Sequence, residues 1–335
     1  MKVAVLSPVA WRTPPRHYGP WEQVASNIAE GLVKLGVDVT LFATGDSITS
    51  GTLASVCEKG YEEDRTQDAK VLECMHISNL MDRADEFDII HNNFDFLPLT
   101  YSGLIKTPVI TTIHGFSSPR IIPVYKKYNH IGYYVSISNS DRSAELDYLA
   151  TVYNGLDTKD FVFNNSPEDY LLYFGRIHPD KGTAEAIEIA KKSKRKLLIA
   201  GIVQDEGYFK EKIEPQFSDQ IEYVGSAGPD KRNELLGNAL ALLHPINFNE
   251  PFGLSVAEAM LCGTPVIAFN KGSMPELIKD NETGFLVNNI DEAVNAVERL
   301  KDLKREDCYN WATAQFSCDK MVSDYLKLYQ QILGY

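Results

Sequence analysis

No stretch of the chain approaches the roughly 18 consecutive apolar residues that a membrane-spanning helix needs, so a transmembrane segment is not expected. Cysteine is scarce. The five thiols, Cys57, Cys74, Cys262, Cys308 and Cys318, are odd in number and contain no C-x-x-C pair, which argues against a disulfide framework. With no secretory pattern across Met1–Ser7, they are expected to be the reduced thiols of a cytoplasmic protein. Positive charge is also in short supply: 33 basic against 46 acidic side chains leave a formal net charge of −13, which opposes approach to nucleic acid. What remains is ordinary globular composition, 44% hydrophobic and 24% charged, which excludes a disordered or fibrous chain. At 335 residues it has room for two cores of roughly 150 residues each.

One segment departs from the acidic background. Arg120–His130 sets Lys126 and Lys127 among Ile121, Ile122, Val124, Tyr125 and Tyr128. That composition suits a peripheral contact with the inner face of a membrane, or an anionic acceptor, as well as a plain loop and helix with a solvated basic side.

The pattern along the chain occurs twice. Lys2–Ser7 is a short apolar, β-branched run, residues 21–35 repeat apolar positions at helical spacing up to Gly36, and Val37–Phe42 returns to strand character. Strand, helix, strand with both strands apolar is the unit of a parallel sheet covered on both faces. Further strands are expected near residues 88–91, 108–114, 133–137 and 151–153. A polar stretch, Asp157–Asp169, then reads as a linker. The rhythm resumes with strands near residues 170–175, 196–200, 221–225, 240–244, 266–269 and 285–287, and helices at 181–193, 253–262 and 290–303. The expected fold class is therefore α/β, with two Rossmann-like doubly wound parallel-sheet domains facing across a cleft: an N-terminal domain over residues 1–157 and a C-terminal one over residues 158–318. Asp319–Leu333 forms an amphipathic helix able to pack on either domain. Ligands of such sheets bind at the carboxyl ends of the strands. Neither first strand is followed by G-x-G-x-x-G, which removes the main support for a dinucleotide-dependent oxidoreductase.

The segment richest in chemistry is Asn249–Met260, NEPFGLSVAEAM. Glu250 precedes a helix N-terminus whose free amides can cradle an anion, and Glu258 sits two turns along that helix. Two separated carboxylates suit the hydroxyls of a polyol. Upstream, FGRIHPDKG (Phe174–Gly182) places Arg176 and Lys181 in one loop after a strand, two fixed cations of the kind that suit a diphosphate. In the first half, Gly19 and Pro20 open the first helix, and His114 ends the strand in TTIHGF. His91 shares that placement in DIIHNN and reads as structural.

These segments resemble the family-four glycosyltransferases of the GT-B architecture, over nearly the whole chain from Lys2 to about Leu300. The resemblance implies that Glu250 contacts hydroxyls of the transferred sugar and Glu258 the nucleotide ribose. The main chain around Phe252, Gly253, Leu254 and Ser255 would meet the sugar and diphosphate, with Gly175 in the phosphate-side loop. Arg176 and Lys181 would be the electrophilic clamp that stands in for a metal, and His114 would lie by the reacting centre. Gly19 would contact the donor, whereas Pro20 replaces a family glycine and offers no N–H. Asn154-Gly155-Leu156-Asp157 matches the interdomain turn, and residues 319–335 would cross back onto the first domain.

The function so implied is transfer of a hexose from a UDP- or GDP-sugar to an acceptor hydroxyl, with retention of configuration, no cofactor and no metal. The acceptor, whether a sugar, a lipid-linked sugar or a small molecule, is not readable, and Thr44–Arg83 shows no interpretable motif. Two alternatives stay open at this stage: a nucleotide-sugar epimerase of the same fold, and a non-catalytic nucleotide-sugar binding subunit.

Overall fold

The computed structural model describes residues 1–116 and 118–335. The chain divides into two units, one made of Met1–Gly155 with Cys318–Tyr335 and the other of Leu156–Ser317. The passage falls slightly ahead of residue 157 for a local reason. Gly155 is tied into the first unit, its N–H donating to Met321 Sδ and its carbonyl accepting from Asn27, whereas the Leu156 N–H donates to the Phe316 carbonyl in the second.

The first unit is built on β1 (Lys2–Leu6), β2 (Asp38–Phe42), β3 (Thr52–Ala54), β4 (Ile89–Asn92), β5 (Val109–Ile113), β6 (Tyr133–Ser136) and β7 (Ala150–Thr151). They pair in the order β3-β2-β1-β4-β5-β6-β7, all parallel. β4 and β5 are buried along their whole length, the polar His91, Asn92, Thr111 and Thr112 included, as befits strands covered on both faces. The helix Pro20–Lys34 lays Val24, Ala25, Ile28 and Leu32 on one face of this sheet, and the helix Cys318–Leu333 adds Met321, Val322, Tyr325 and Tyr329 to the same cluster.

In the second unit, β8 (Tyr170–Phe174), β9 (Lys196–Ala200), β10 (Ile221–Gly225), β11 (Ala241–His244), β12 (Val266–Phe269) and β13 (Gly284–Val287) pair in the order β10-β9-β8-β11-β12-β13, again all parallel. Strand order reverses between β1 and β4 in the first sheet and between β8 and β11 in the second. At such a reversal the connections leave to opposite faces, opening a crevice at the carboxyl edge.

Some elements escaped the sequence pattern. Within Thr44–Arg83 the chain forms β3 and the helix Ala69–Met81, and the helices Pro229–Asn238 and Arg305–Phe316 were likewise unread. The Arg120–His130 segment contains the short helix Ile122–Tyr128, with Tyr125 fully buried and Ile121, Ile122 and Tyr128 packed around the same cluster. Lys126 pairs with Glu145 at 3.1 Å. The apolar side chains that suited a membrane surface are therefore turned largely inward. Among the described residues, no helix is long and apolar enough to cross a membrane.

Candidate active site

β8 hands the chain to Gly175 and Arg176, and a turn at Pro179–Lys181 leads into the helix Thr183–Ser193. Its parallel neighbour β11 ends at His244, followed by a loop that reaches the helix Leu254–Leu261. Both loops thus leave the same edge at the point where strand order reverses. There Lys181 Nζ meets Glu250 Oε2 at 2.5 Å, with the two side chains 15% and 13% exposed. The ammonium also lies 4.6 Å from the centre of the Phe248 ring, a favourable cation–π position.

His244 adds a third group. Its Nε2 lies 3.9 Å from the same Glu250 oxygen and has no hydrogen-bond partner among the described residues. Burial holds its pKa down to about 4, with Glu250 opposing the shift and Lys181 adding to it, so the ring is neutral at physiological pH.

The Glu250 backbone is held from behind. Gly272 adopts φ +54°, and a Cβ there would lie 2.4 Å from the Glu250 nitrogen and 2.5 Å from its carbonyl oxygen, so only glycine fits. Ser273 follows, its N–H donating to the Glu250 carbonyl at 3.0 Å and its hydroxyl to the Phe252 carbonyl at 2.5 Å. Beyond Gly253, the first backbone donor of the helix to reach back into it is the Val256 N–H, which bonds the Gly253 carbonyl. The amides of Leu254 and Ser255 precede that ladder and lie at the positive end of the helix.

Glu258, further along the helix, is 9% exposed and paired with Arg232 at 3.1 Å. Burial raises its pKa, and Arg232, itself 4.8 Å from the centre of the Phe161 ring, acts against that rise. Arg176 donates to Gln204 Oε1 at 2.5 Å, a neutral partner that positions the guanidinium without cancelling its charge.

In the first unit, His114 follows β5. Its Nε2 donates to Asn93 Oδ1 at 3.1 Å, and its ring stacks on Trp21 with centroids 5.6 Å apart and planes at 24°. Burial lowers its pKa to about 3, leaving a neutral imidazole.

The N-terminal unit matches the family model described as Glycosyltransferase Family 4 over residues 21–160, and the C-terminal unit matches Glycosyl transferases group 1 over residues 157–315. The chain belongs to the family 4-like glycosyltransferases. An uncharacterized glycosyltransferase of Methanocaldococcus jannaschii is 24% identical over 350 aligned residues, which cover 90% of this chain and 89% of the relative. Sucrose-phosphate synthase of Thermosynechococcus elongatus shares the fold with a TM-score of 0.80 at 17% identity, over 100% of this chain and 99% of that one. Anabaena HepE, solved in complex with UDP-glucose, superposes with a TM-score of 0.72 at 16% identity, over 99% of this chain and 100% of that one.

This glycosyltransferase brings Lys181 and Glu250 into direct contact, with Arg176 on the same loop after β8 as Lys181. Gly175 continues β8, its N–H donating to the Ala200 carbonyl at 3.0 Å. Phe252 is 3% exposed, its ring packs edge-on against Phe316 at 5.7 Å, and its carbonyl accepts from the Ser273 hydroxyl. Gly19 has a packing reason of its own: at φ +153°, a Cβ would come within 2.9 Å of Glu22 Oε2 and Pro15 Cβ. His91 is enclosed, bonded to Tyr329 at 2.6 Å and Thr112 at 2.7 Å, as a structural residue is.

Sequence reasoning missed His244, Arg232 and Gly272. His244 gave one usable signal, its position at the end of an apolar run directly before the Glu250 loop. Arg232 and Gly272 gave none, because their partners are remote along the chain.

Proposed function

We propose that this glycosyltransferase transfers a hexose from a UDP- or GDP-sugar to an acceptor hydroxyl, with retention of configuration and without a divalent metal, in the cytoplasm. The observation that carries the reading is the Lys181–Glu250 contact at the β8/β11 reversal, beside the opening amides of the Leu254–Leu261 helix. A leaving nucleoside diphosphate gains negative charge as the glycosidic bond breaks. Fixed cations at Lys181 and Arg176, together with the helix amides, stabilise that charge more in the transition state than in the ground state. Glu250 is assigned to hydroxyls of the transferred sugar and Glu258 to the ribose. His114, neutral and oriented by Asn93, is assigned to the sugar side of the reaction. The complex of HepE with UDP-glucose supports a nucleotide-sugar donor.

The test is a panel of UDP- and GDP-hexoses with a mixture of glycosides in excess EDTA, products being resolved by mass spectrometry and anomeric NMR. The expected outcome is a new glycoside with the donor's anomeric configuration. Release of an epimerised nucleotide sugar, donor binding without turnover, or a strict need for added Mn²⁺ or Mg²⁺ would each contradict the reading.

A further inference from the structure

A cavity of about 520 Å³ opens at the carboxyl edge of the first sheet. It lies where strand order reverses, between the loop after β1 and the loop after β4. Trp11, Tyr18, Trp21 and Phe96 supply aromatic wall. Glu22, Glu73 and Asp95 supply carboxyl groups, and no Lys, Arg or His is among the described residues that line it. The two cations of the β1 loop are engaged elsewhere: Arg12 Nε donates to the Pro14 carbonyl, and Arg16 pairs with Asp46 and Glu63.

The carboxyl groups are held in place. Glu22 is 3% exposed; burial raises its pKa, and the N–H groups of Glu22 itself and of Trp11 act against that rise. Asp95 accepts from the buried Tyr125 hydroxyl and sits at φ +97°, a region that non-glycine residues rarely occupy. Tyr61 donates to Glu73 at 3.3 Å. Trp21, which lines the cavity, also stacks on His114. That stacking connects this wall to the histidine assigned to the reacting centre.

We infer that this cavity holds the acceptor, and that it selects a sugar ring carrying no phosphate or carboxylate beside the reacting hydroxyl. The inference rests on the transferase reading and adds the acceptor's chemical class to it. Ring C–H groups of a pyranose carry slight positive charge and pack on the negative faces of aromatic rings. Sugar hydroxyls donate to carboxyl oxygens in strong hydrogen bonds. An anionic acceptor would meet like charge at Glu73 and Asp95, with Glu22 only partly ionised at neutral pH and no lining cation among the described residues to offset it.

Saturation-transfer NMR on the full chain tests this, using the methyl glycosides of glucose, galactose, mannose and N-acetylglucosamine beside glucose 6-phosphate and glucuronate. At least one neutral glycoside is expected to bind, at least about tenfold more tightly than either anion. Trp11→Ala should abolish its signal while Trp11→Phe retains it, circular dichroism reporting that both variants are folded. Equal or tighter binding of the anions, no binding by any neutral glycoside, or a signal indifferent to Trp11 would overturn the inference. Thermal shift with UDP- and GDP-sugars on the same samples separates the two readings. Absence of donor binding sinks the transferase assignment, whereas donor binding with an anionic preference in the glycoside panel sinks the acceptor assignment alone.

Discussion

Lys181 Nζ and Glu250 Oε2 meet at 2.5 Å although 69 positions separate them in the chain. The contact joins the cation assigned to the leaving diphosphate with the carboxylate assigned to the moving sugar. In the free chain each partly neutralises the other. Glu250→Gln keeps the shape and removes the charge, so affinity for free UDP or GDP is expected to stay level or rise while turnover with the whole donor falls. Calorimetry beside steady-state kinetics reads both, and loss of nucleotide affinity would refute the assignment. Gly272→Ala should lower turnover in the same way, since its Cβ would displace the Glu250 main chain.

Removal of either cation should act on the reaction itself. Arg176→Ala and Lys181→Ala are each expected to lower turnover by about 10² or more, the scale of losing a few kcal/mol of charge stabilisation at the leaving group. Near-wild-type rates in both would dismiss the clamp.

Arg232 and Glu258 form a second buried pair, with side chains 22% and 11% exposed. Cutting one partner leaves the other charged and desolvated. Arg232→Met should destabilise the fold by on the order of 2–3 kcal/mol, and adding Glu258→Gln should recover part of that loss, a coupling that chemical denaturation can measure as a double-mutant cycle. Additive losses would mean that the pair is not coupled. Glu258→Ala should also weaken free nucleoside diphosphate binding, as befits a contact to ribose.

Acid stability follows from His91, enclosed by Tyr329 and Thr112. Burial depresses its pKa from 6.5 to about 3. Between those values the unfolded chain binds a proton that the native chain refuses, so His91 takes away stability as pH falls below 6.5 and costs nothing above it. Glu22, raised by burial to about 7, works in the opposite sense: the native chain holds its proton above 4.5, and stability declines as pH rises toward 7. The comparison must therefore be made variant by variant. His91→Gln should flatten the dependence of unfolding free energy on pH between 4 and 6 by up to about 1.4 kcal/mol per pH unit relative to wild type. An unchanged slope would show that His91 titrates normally in the native state.

The two sheets were legible in the sequence because parallel strands covered on both faces must be apolar at nearly every position, as in Val3–Leu6 and Ala241–Leu243. That the Glu250 loop and the Arg176–Lys181 loop leave strand ends was legible because each comes after an apolar run, Ala241–Leu243 and Tyr170–Phe174. Other parts were not. The helix Ala69–Met81 carries exposed Val71 and Met75 beside its buried positions, which blurs its pattern, and β3 is only three residues long. Tertiary structure alone decided who partners whom: Lys181 with Glu250, Arg232 with Glu258, Gly272 behind Glu250, and His244 beside them. It also decided that Trp11, Glu73 and Phe96 share one cavity. The physical reason is common to all of these. A doubly wound sheet gathers the carboxyl ends of strands that are remote in the chain along one edge, and no local rule of spacing records which loops become neighbours there.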